Sequence, residues 1–258
     1  MIKSFLFVYL PKKNEAMNIL KKENISLFEL YSAMRIEKAE CTNPYLVVPS
    51  DAYVKSSFKV LLLGKETNGW GTAEFQSPTI EDLEDLYNRK INDGWGIGGP
   101  LWDFYYSLRC ISEGDNIEVP EFAGMVGFCA SNIALIGKEY GHSGFNPKYA
   151  AQLSEILSQC LIILNPDIVL CPVGVGTSSG CDYPYIELLK SSLNAESCNK
   201  RETNCNGLYE LHFTPSNSKS LFLGCRHPQG ASNDFKENVK RYLIELIKQK
   251  LNLSPNSI

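Results

Sequence analysis

The sequence predicts an α/β fold: a three-layer α/β/α sandwich with a central, mainly parallel sheet. Short apolar runs bounded by glycine or proline, such as Phe58–Leu63 and Asp167–Cys171, are typical of strands buried on both faces. They alternate with amphipathic segments of helical period, which favours parallel strands covered by helices on both sides. A content of 44% hydrophobic and 21% charged residues provides a core of ordinary size.

The predicted elements form one α/β domain at residues 56–258. Residues 1–55 are predicted to be a helical N-terminal extension packed on the core, with helices at Lys12–Lys22 and Ile25–Met34. Apolar runs predict strands at Phe58–Leu63, Gly127–Ile133, Asp167–Cys171, Leu208–Phe213 and Leu221–Gly224. Spacing and capping residues predict helices at Ser77–Lys90, Leu101–Ile111, from Asn146 onwards, Tyr185–Leu193 and Asn233–Leu251.

Cysteine usage and hydropathy favour a reduced, cytoplasmic protein. The nine cysteines are scattered, and most lie in apolar segments, as buried thiols do. A zinc knuckle from Cys181, Cys198 and Cys205 has the wrong spacing for common structural sites, so we expect no metal. No apolar run reaches the roughly 18 residues of a membrane span, and Ser4–Leu10 lacks a signal-peptide cleavage pattern. We therefore expect no membrane partner.

The net charge of −4 limits the nucleic-acid partners that the chain can have. It argues against a protein that coats nucleic acid by charge alone. It is compatible with an enzyme that has a local basic face around a cleft.

Ligands of open α/β sheets bind beyond the carboxyl ends of the strands. This rule selects four segments: Gly64–Thr72, the residues around Asn132, Gly174–Ser179 and Arg226–Ser232. We therefore expect the functional residues to lie in these segments.

The loop that begins at Gly64 reads GKETNGWG. It differs from a phosphate-binding loop, because its lysine directly follows the first glycine and no Gly-Lys-Ser/Thr ends it. A carboxylate at a strand end, here Glu66, suits the activation of water, but an exposed loop acid fits the sequence equally well.

Asn132 and His227 are the polar candidates in two further segments. Asparagine is rare in a buried strand unless its amide is paired, so Asn132 is either a structural amide or a group that reads a ligand. The chain has three histidines, and His227 directly follows a predicted strand, which is a suitable position for catalysis.

In this order, GKETNGWG, SNIALI, NPDIVLCPVG and CRHPQGAS resemble the motifs of the uracil-DNA glycosylase superfamily over residues 58 to 250. The resemblance implies a monofunctional DNA glycosylase that hydrolyses the N-glycosidic bond of a flipped-out base without a cofactor. Glu66 then orients the attacking water, Asn132 reads the base, and His227 hydrogen-bonds the departing pyrimidine oxygen. The resemblance also implies further base-binding residues, namely Asn68, Trp95 and Trp70, and DNA-binding residues, namely Lys65, Arg226, Gln229, Gly230, Ala231 and Ser232.

The sequence departs from the family pattern at two positions that bear on the substrate. Uracil-specific relatives carry a bulky aromatic soon after the acid, whereas Thr67, Asn68 and Gly69 stand here. The pocket is therefore expected to admit uracil or a C5-modified pyrimidine, including a hypermodified phage cytosine, which would make the protein an antiviral factor. Alternatively, Trp70 folds back and restores uracil selectivity. The second departure is the loop His-Pro-Gln-Gly, in which Ala231 is a poor wedge.

Two other function classes remain open. One is a non-catalytic nucleic-acid- or nucleotide-binding protein on the same fold, because a fold does not determine a function. The other is an unrelated doubly wound enzyme, such as a nucleoside hydrolase or a transferase. We expect a monomer whose partner is DNA with a flipped base.

Overall fold

The computed structural model describes residues 13–37, 39–66, 70–95, 98–114, 116–138, 144–175, 183–216 and 218–253. The α-helices are Lys13–Ile36 (α1), Asp51–Lys55 (α2), Ile80–Tyr87 (α3), Pro100–Arg109 (α4), Ala150–Leu164 (α5), Tyr183–Ser192 (α6) and Asn233–Lys250 (α7). The strands are Phe58–Glu66 (β1), Val126–Ala134 (β2), Ile168–Cys171 (β3), Ser197–Glu202 (β4), Leu208–Thr214 (β5) and Leu221–Cys225 (β6). None of the described helices is long and apolar enough to cross a membrane.

The six strands form one mixed sheet in the order β2-β1-β3-β6-β5-β4. Strands β2, β1, β3 and β6 are parallel to one another. Strand β5 pairs antiparallel with both β6 and β4. The prediction of an α/β sandwich with a mainly parallel sheet is confirmed. Strand β4 was not predicted, because its sequence SCNKRE has no apolar pattern and its side chains are mostly exposed.

Helices cover both faces of the sheet. Gly127 of β2 lies against α2, since a Cβ there would meet Tyr53 and Ser56. Gly64 of β1 faces the other way, towards Leu101 of α4. The alternation of side chains along a strand places these two helices on opposite faces of the sheet.

Strand β2 forms one edge of the sheet, and neighbouring side chains satisfy its outer backbone groups. Glu113 accepts a hydrogen bond from the Phe128 N–H at 3.0 Å, and the Tyr87 hydroxyl donates to the Ala130 carbonyl at 2.7 Å. Beyond the strand, the Tyr45 N–H donates to the Leu135 carbonyl at 2.8 Å. The edge is therefore protected from pairing with other chains.

The described part of the N-terminal 55 residues shares the core of the sheet domain. Helix α1 is one continuous helix and not two, and it packs against α5. Leu20, Leu27 and Met34 of this helix are fully buried in the same apolar cluster as β1 and β2. The break predicted between Lys22 and Ile25 is wrong, because Glu23 and Asn24 continue the helix and Asn24 is buried with its amide paired.

Candidate functional site

The carboxyl ends of the four parallel strands meet at one edge of the sheet. The connections from β1 and β3 run in opposite directions in the order β2-β1-β3-β6, so a topological switch point lies between these two strands. Leu62, Leu170 and Leu223 lie in register across β1, β3 and β6. Glu66 is the last residue of β1 and His227 follows the end of β6, so both lie at this edge, with β3 between their strands.

Asn132 lies on β2 directly opposite Gly64 of β1. Its side chain is 2% exposed, and its Oδ1 lies 2.5 Å from where a Cβ of residue 64 would be. Glycine at position 64 therefore makes room for this amide. Among the described residues, the Asn132 amide forms no hydrogen bond with another part of the chain, so its donor and acceptor remain available to a ligand.

His227 lies two residues beyond the end of β6, and it is half-buried. Its Nδ1 accepts a hydrogen bond from the Gln229 backbone N–H at 3.1 Å. Burial of the imidazole and the nearby Lys65 ammonium lower the pKa of His227 below its usual value. The ring is therefore neutral near pH 7, and since Nδ1 is the acceptor, the remaining proton is on Nε2.

The segment after His227 forms a tight turn that leads into α7. The Ala231 N–H donates to the Pro228 carbonyl at 3.1 Å, and Gly230 has φ +81°, which is the geometry of a type II turn. Gln229 and Gly230 are exposed at the tip, and Ala231 is half-buried. The Ser232 hydroxyl accepts from the Phe235 N–H at 3.2 Å, so it caps the first turn of α7.

The two predicted DNA-binding cations differ in their surroundings. Arg226 is exposed, and its guanidinium lies 5.0 Å from the Phe235 ring centroid, at the start of α7. A Cβ at Gly207, in the turn between β4 and β5, would meet both groups. Lys65 is half-buried, and its ammonium lies 5.8 Å from the Tyr185 ring centroid in α6.

The two predicted base-stacking tryptophans also differ. Trp70 is 8% exposed and packs against Tyr45 with ring centroids 4.6 Å apart, so its ring is folded back into the core. Its indole N–H is buried without a hydrogen-bond partner among the described residues. Trp95 is 78% exposed and projects into solvent, so it does not line a closed pocket in this conformation.

Glu66 and Asn68 are the predicted acid and one of the predicted base-binding residues. Glu66 is the last residue of β1, opposite Ala134 of β2, which places its backbone at the switch point. Asn68 lies outside the described residues, as does most of the predicted loop segment Gly174–Ser179.

Sequence reasoning missed three features of the site. Gly64 was assigned to a glycine-rich loop, but it is a strand residue that seats Asn132. Leu101 and Tyr185 come from helices far away in sequence, so no local pattern indicates their contacts with Gly64 and Lys65.

The described residues contain no group of three or more histidine, cysteine, aspartate or glutamate side chains that could hold a metal ion. The described cysteines are free, and burial raises the pKa of Cys129, Cys160 and Cys225 to about 12. These thiols are protonated near pH 7, and inert thiols of this kind are structural.

Comparison of the sequence with protein-family models finds no match, and comparison with curated proteins finds none either.

Proposed function

We propose that this chain is a DNA glycosylase that hydrolyses the N-glycosidic bond of a flipped-out uracil or C5-modified pyrimidine and leaves an abasic site. One observation carries the proposal: a neutral histidine at the carboxyl end of a central strand, with Nδ1 occupied by a backbone N–H and an N–H donor left on Nε2. Such a donor is suited to stabilising an anion that develops on a leaving group.

The environment of Asn132 supports the same reaction. The Asn132 side chain is almost wholly buried and its amide has no partner in the described part of the chain, so its hydrogen bonds are left for a ligand. The amide offers one donor and one acceptor edge, which complements the polar edge of a uracil or cytosine ring. A flipped nucleotide would bring that edge out of the stack at a cost of a few kcal/mol.

The proposed step is hydrolysis. The C1′–N1 bond breaks, and its electron pair stays with the base, which leaves as an anion. The water oxygen bonds to C1′, and the Glu66 carboxylate takes the proton of that water. The Nε2–H of His227 donates to the anionic base oxygen, a contact whose loss from comparable sites costs about 3–4 kcal/mol in the barrier.

We further propose a binding partner, an oligomeric state and a cellular compartment for the enzyme. The partner is DNA with a flipped base, the enzyme acts as a monomer in the cytoplasm, and Arg226 contacts the phosphate backbone. If the substrate is a hypermodified cytosine, abasic sites form in invading phage DNA, and the enzyme serves antiviral defence. Residues 67–69, on which the choice between plain and C5-modified pyrimidine depends, lie outside the described part of the chain.

The test is a base-release assay on single- and double-stranded oligonucleotides that contain uracil, 5-hydroxymethylcytosine or glucosylated cytosine. Alkaline cleavage reports abasic sites, and Glu66→Gln is the inactive control. We expect release from at least one substrate and its loss in the control. Tight DNA binding without release from any substrate would favour the non-catalytic binding protein, and release of uracil alone would refute the C5-modified substrate.

A further inference from the structure

Lys65 was assigned to DNA phosphates, but its environment points to a different role. Its side chain is half-buried, and its ammonium lies over the ring of Tyr185, which is itself buried in α6. A lysine that contacts the DNA backbone projects outward, as the exposed Arg226 does. Lys65 instead points along the sheet face that α6 covers.

Lys65 and His227 also lie at the same edge of the sheet. Lys65 is three residues beyond the row formed by Leu62, Leu170 and Leu223, and His227 is four residues beyond it. Between them runs the buried segment after β3, where the Gly174 and Val175 N–H groups donate to the Cys225 carbonyl.

The charge of Lys65 reaches His227, since burial and this ammonium are the two causes that lower the pKa of His227. Arg226 is the other charged neighbour on the His227 loop, and its guanidinium is held over Phe235. Within the described residues, no carboxylate forms an ion pair with Lys65. A cation that has no ion-pair partner among the described residues, at the same edge as a neutral N–H donor, can bind a negative charge.

We propose that Lys65 is a catalytic residue, and that its ammonium and the Nε2–H of His227 together stabilise the negative charge of the departing base. This inference rests on the proposed glycosylase function. The bonds that form and break are those of the hydrolysis above. Lys65 keeps its proton throughout, and the base anion takes a proton from solvent after it leaves. Burial of the imidazole and the same charge lower the pKa of His227, and the Gln229 N–H on Nδ1 leaves the proton of the neutral ring on Nε2.

The chain offers a matched control for the loss of this lysine. Lys200 on β4 lies 5.4 Å from the Tyr209 ring centroid, a cation–ring contact like that of Lys65, but on the exposed edge strand. Lys65→Met and Lys200→Met therefore remove the same charge and a similar contact. Lys65→Arg keeps the charge.

The experiment measures single-turnover release of uracil and of 5-fluorouracil, a more acidic leaving base, from single-stranded oligonucleotides. We expect Lys65→Met to slow uracil release by roughly 10- to 100-fold with little change in the enzyme concentration that gives half the maximal rate, and to slow 5-fluorouracil release less. Lys65→Arg should recover part of the rate, and Lys200→Met should match the unchanged protein. In NMR titrations, the pKa of His227 should rise in Lys65→Met and stay unchanged in Lys200→Met.

Two results would overturn the inference. One is a Lys65→Met variant with normal release and a salt dependence of DNA binding reduced by about one unit, which is the signature of a phosphate contact. The other is an unchanged pKa of His227 in that variant. Failure of the unchanged protein to release any base would instead refute the proposed function, and the NMR titration would still report whether Lys65 acts on His227.

Discussion

Two buried asparagines show how the N-terminal layer differs from the carboxyl edge of the sheet. Asn24 of α1 is 3% exposed, and its amide donates to the Val47 carbonyl at 3.2 Å and to Glu84 at 3.1 Å. Asn132 of β2 is 2% exposed, and its amide has no such partner among the described residues. Buried amides are normally paired, so Asn132 is the exception of the two.

Two histidines from different regions of the molecule also differ in exposure and in hydrogen-bond partner. His212 of β5 is exposed and lies 3.2 Å from Glu210, whereas His227 is half-buried with its Nδ1 held by a backbone N–H. Pairing explains Asn24 in the N-terminal layer and His212 in the hairpin of β4 and β5. At the carboxyl edge, the Asn132 amide has no partner among the described residues, and His227 has its Nδ1 paired with the Gln229 N–H.

The largest expected effect is that of His227→Ala on base release. The variant loses the donor to the departing base, so release should fall by roughly 100- to 1,000-fold. Single-turnover kinetics on the best substrate measure this loss. His212→Ala is the matched control and should leave the rate within about twofold. Near-normal release by His227→Ala would remove this residue from the mechanism.

The second prediction compares alanine substitutions of the two asparagines in base release and in stability. Asn132→Ala should reduce base release by about 100-fold while lowering the free energy of unfolding by less than about 1 kcal/mol, because no hydrogen bond within the described residues is lost. Asn24→Ala should cost about 1–3 kcal/mol and leave release unchanged, since it abandons two partners. Urea unfolding and the release assay together measure both quantities. A large stability loss in Asn132→Ala would make it a structural amide.

How well the sequence predicted each strand follows from its content of apolar residues. Strands β1, β2, β3 and β6 are buried on both faces, so their apolar runs identified them with ends within a few residues. Strand β4 is an exposed edge strand with the sequence SCNKRE, and its pairing with β5 depends on contacts that no local pattern encodes.

The positions of site residues at strand ends were predictable from the sequence, whereas the contacts of their side chains were not. The strand-end rule placed Glu66, Asn132 and His227 at one edge of the sheet from their positions alone. It gave no information on the side chains that reach this edge from helices, such as Leu101 and Tyr185. It also assigned Trp70 and Trp95 one role, although one ring is buried against Tyr45 and the other is exposed.

The third prediction concerns pH. The pKa of His227 is lowered, so the ring gains a proton only below its usual range near pH 6.5. Base release should therefore hold down to about pH 6.5 and fall at lower pH, by up to tenfold per unit, because a protonated Nδ1 no longer accepts from the Gln229 N–H and the ring loses the contact that positions it. The free energy of unfolding should also decrease as the pH falls through that range. The reason is that the unfolded chain, in which the pKa of His227 is not lowered, binds this proton more readily than the folded chain does. A pH–rate profile that is flat to pH 5 or that falls above pH 7 would contradict the assignment of a neutral donor.

The smallest expected effect comes from the turn that holds His227. Gln229 occupies the second position of the type II turn, where proline is favoured, so Gln229→Pro should keep the turn while removing the N–H that donates to Nδ1. Without that donor, the neutral imidazole can carry its proton on either nitrogen. Because only the tautomer with the proton on Nε2 donates to the base, release should fall by roughly 5- to 10-fold. Gln229→Ala keeps the N–H and should keep the rate, so the difference between the two variants reports the loss of the backbone hydrogen bond together with the displacement of the ring by the proline Cδ. ¹⁵N NMR of the imidazole provides the direct measurement, because the two tautomers have distinct nitrogen shifts. If Gln229→Pro kept both the Nε2–H tautomer and the rate, another contact would be setting the ring, and the backbone N–H would have no part in positioning the donor.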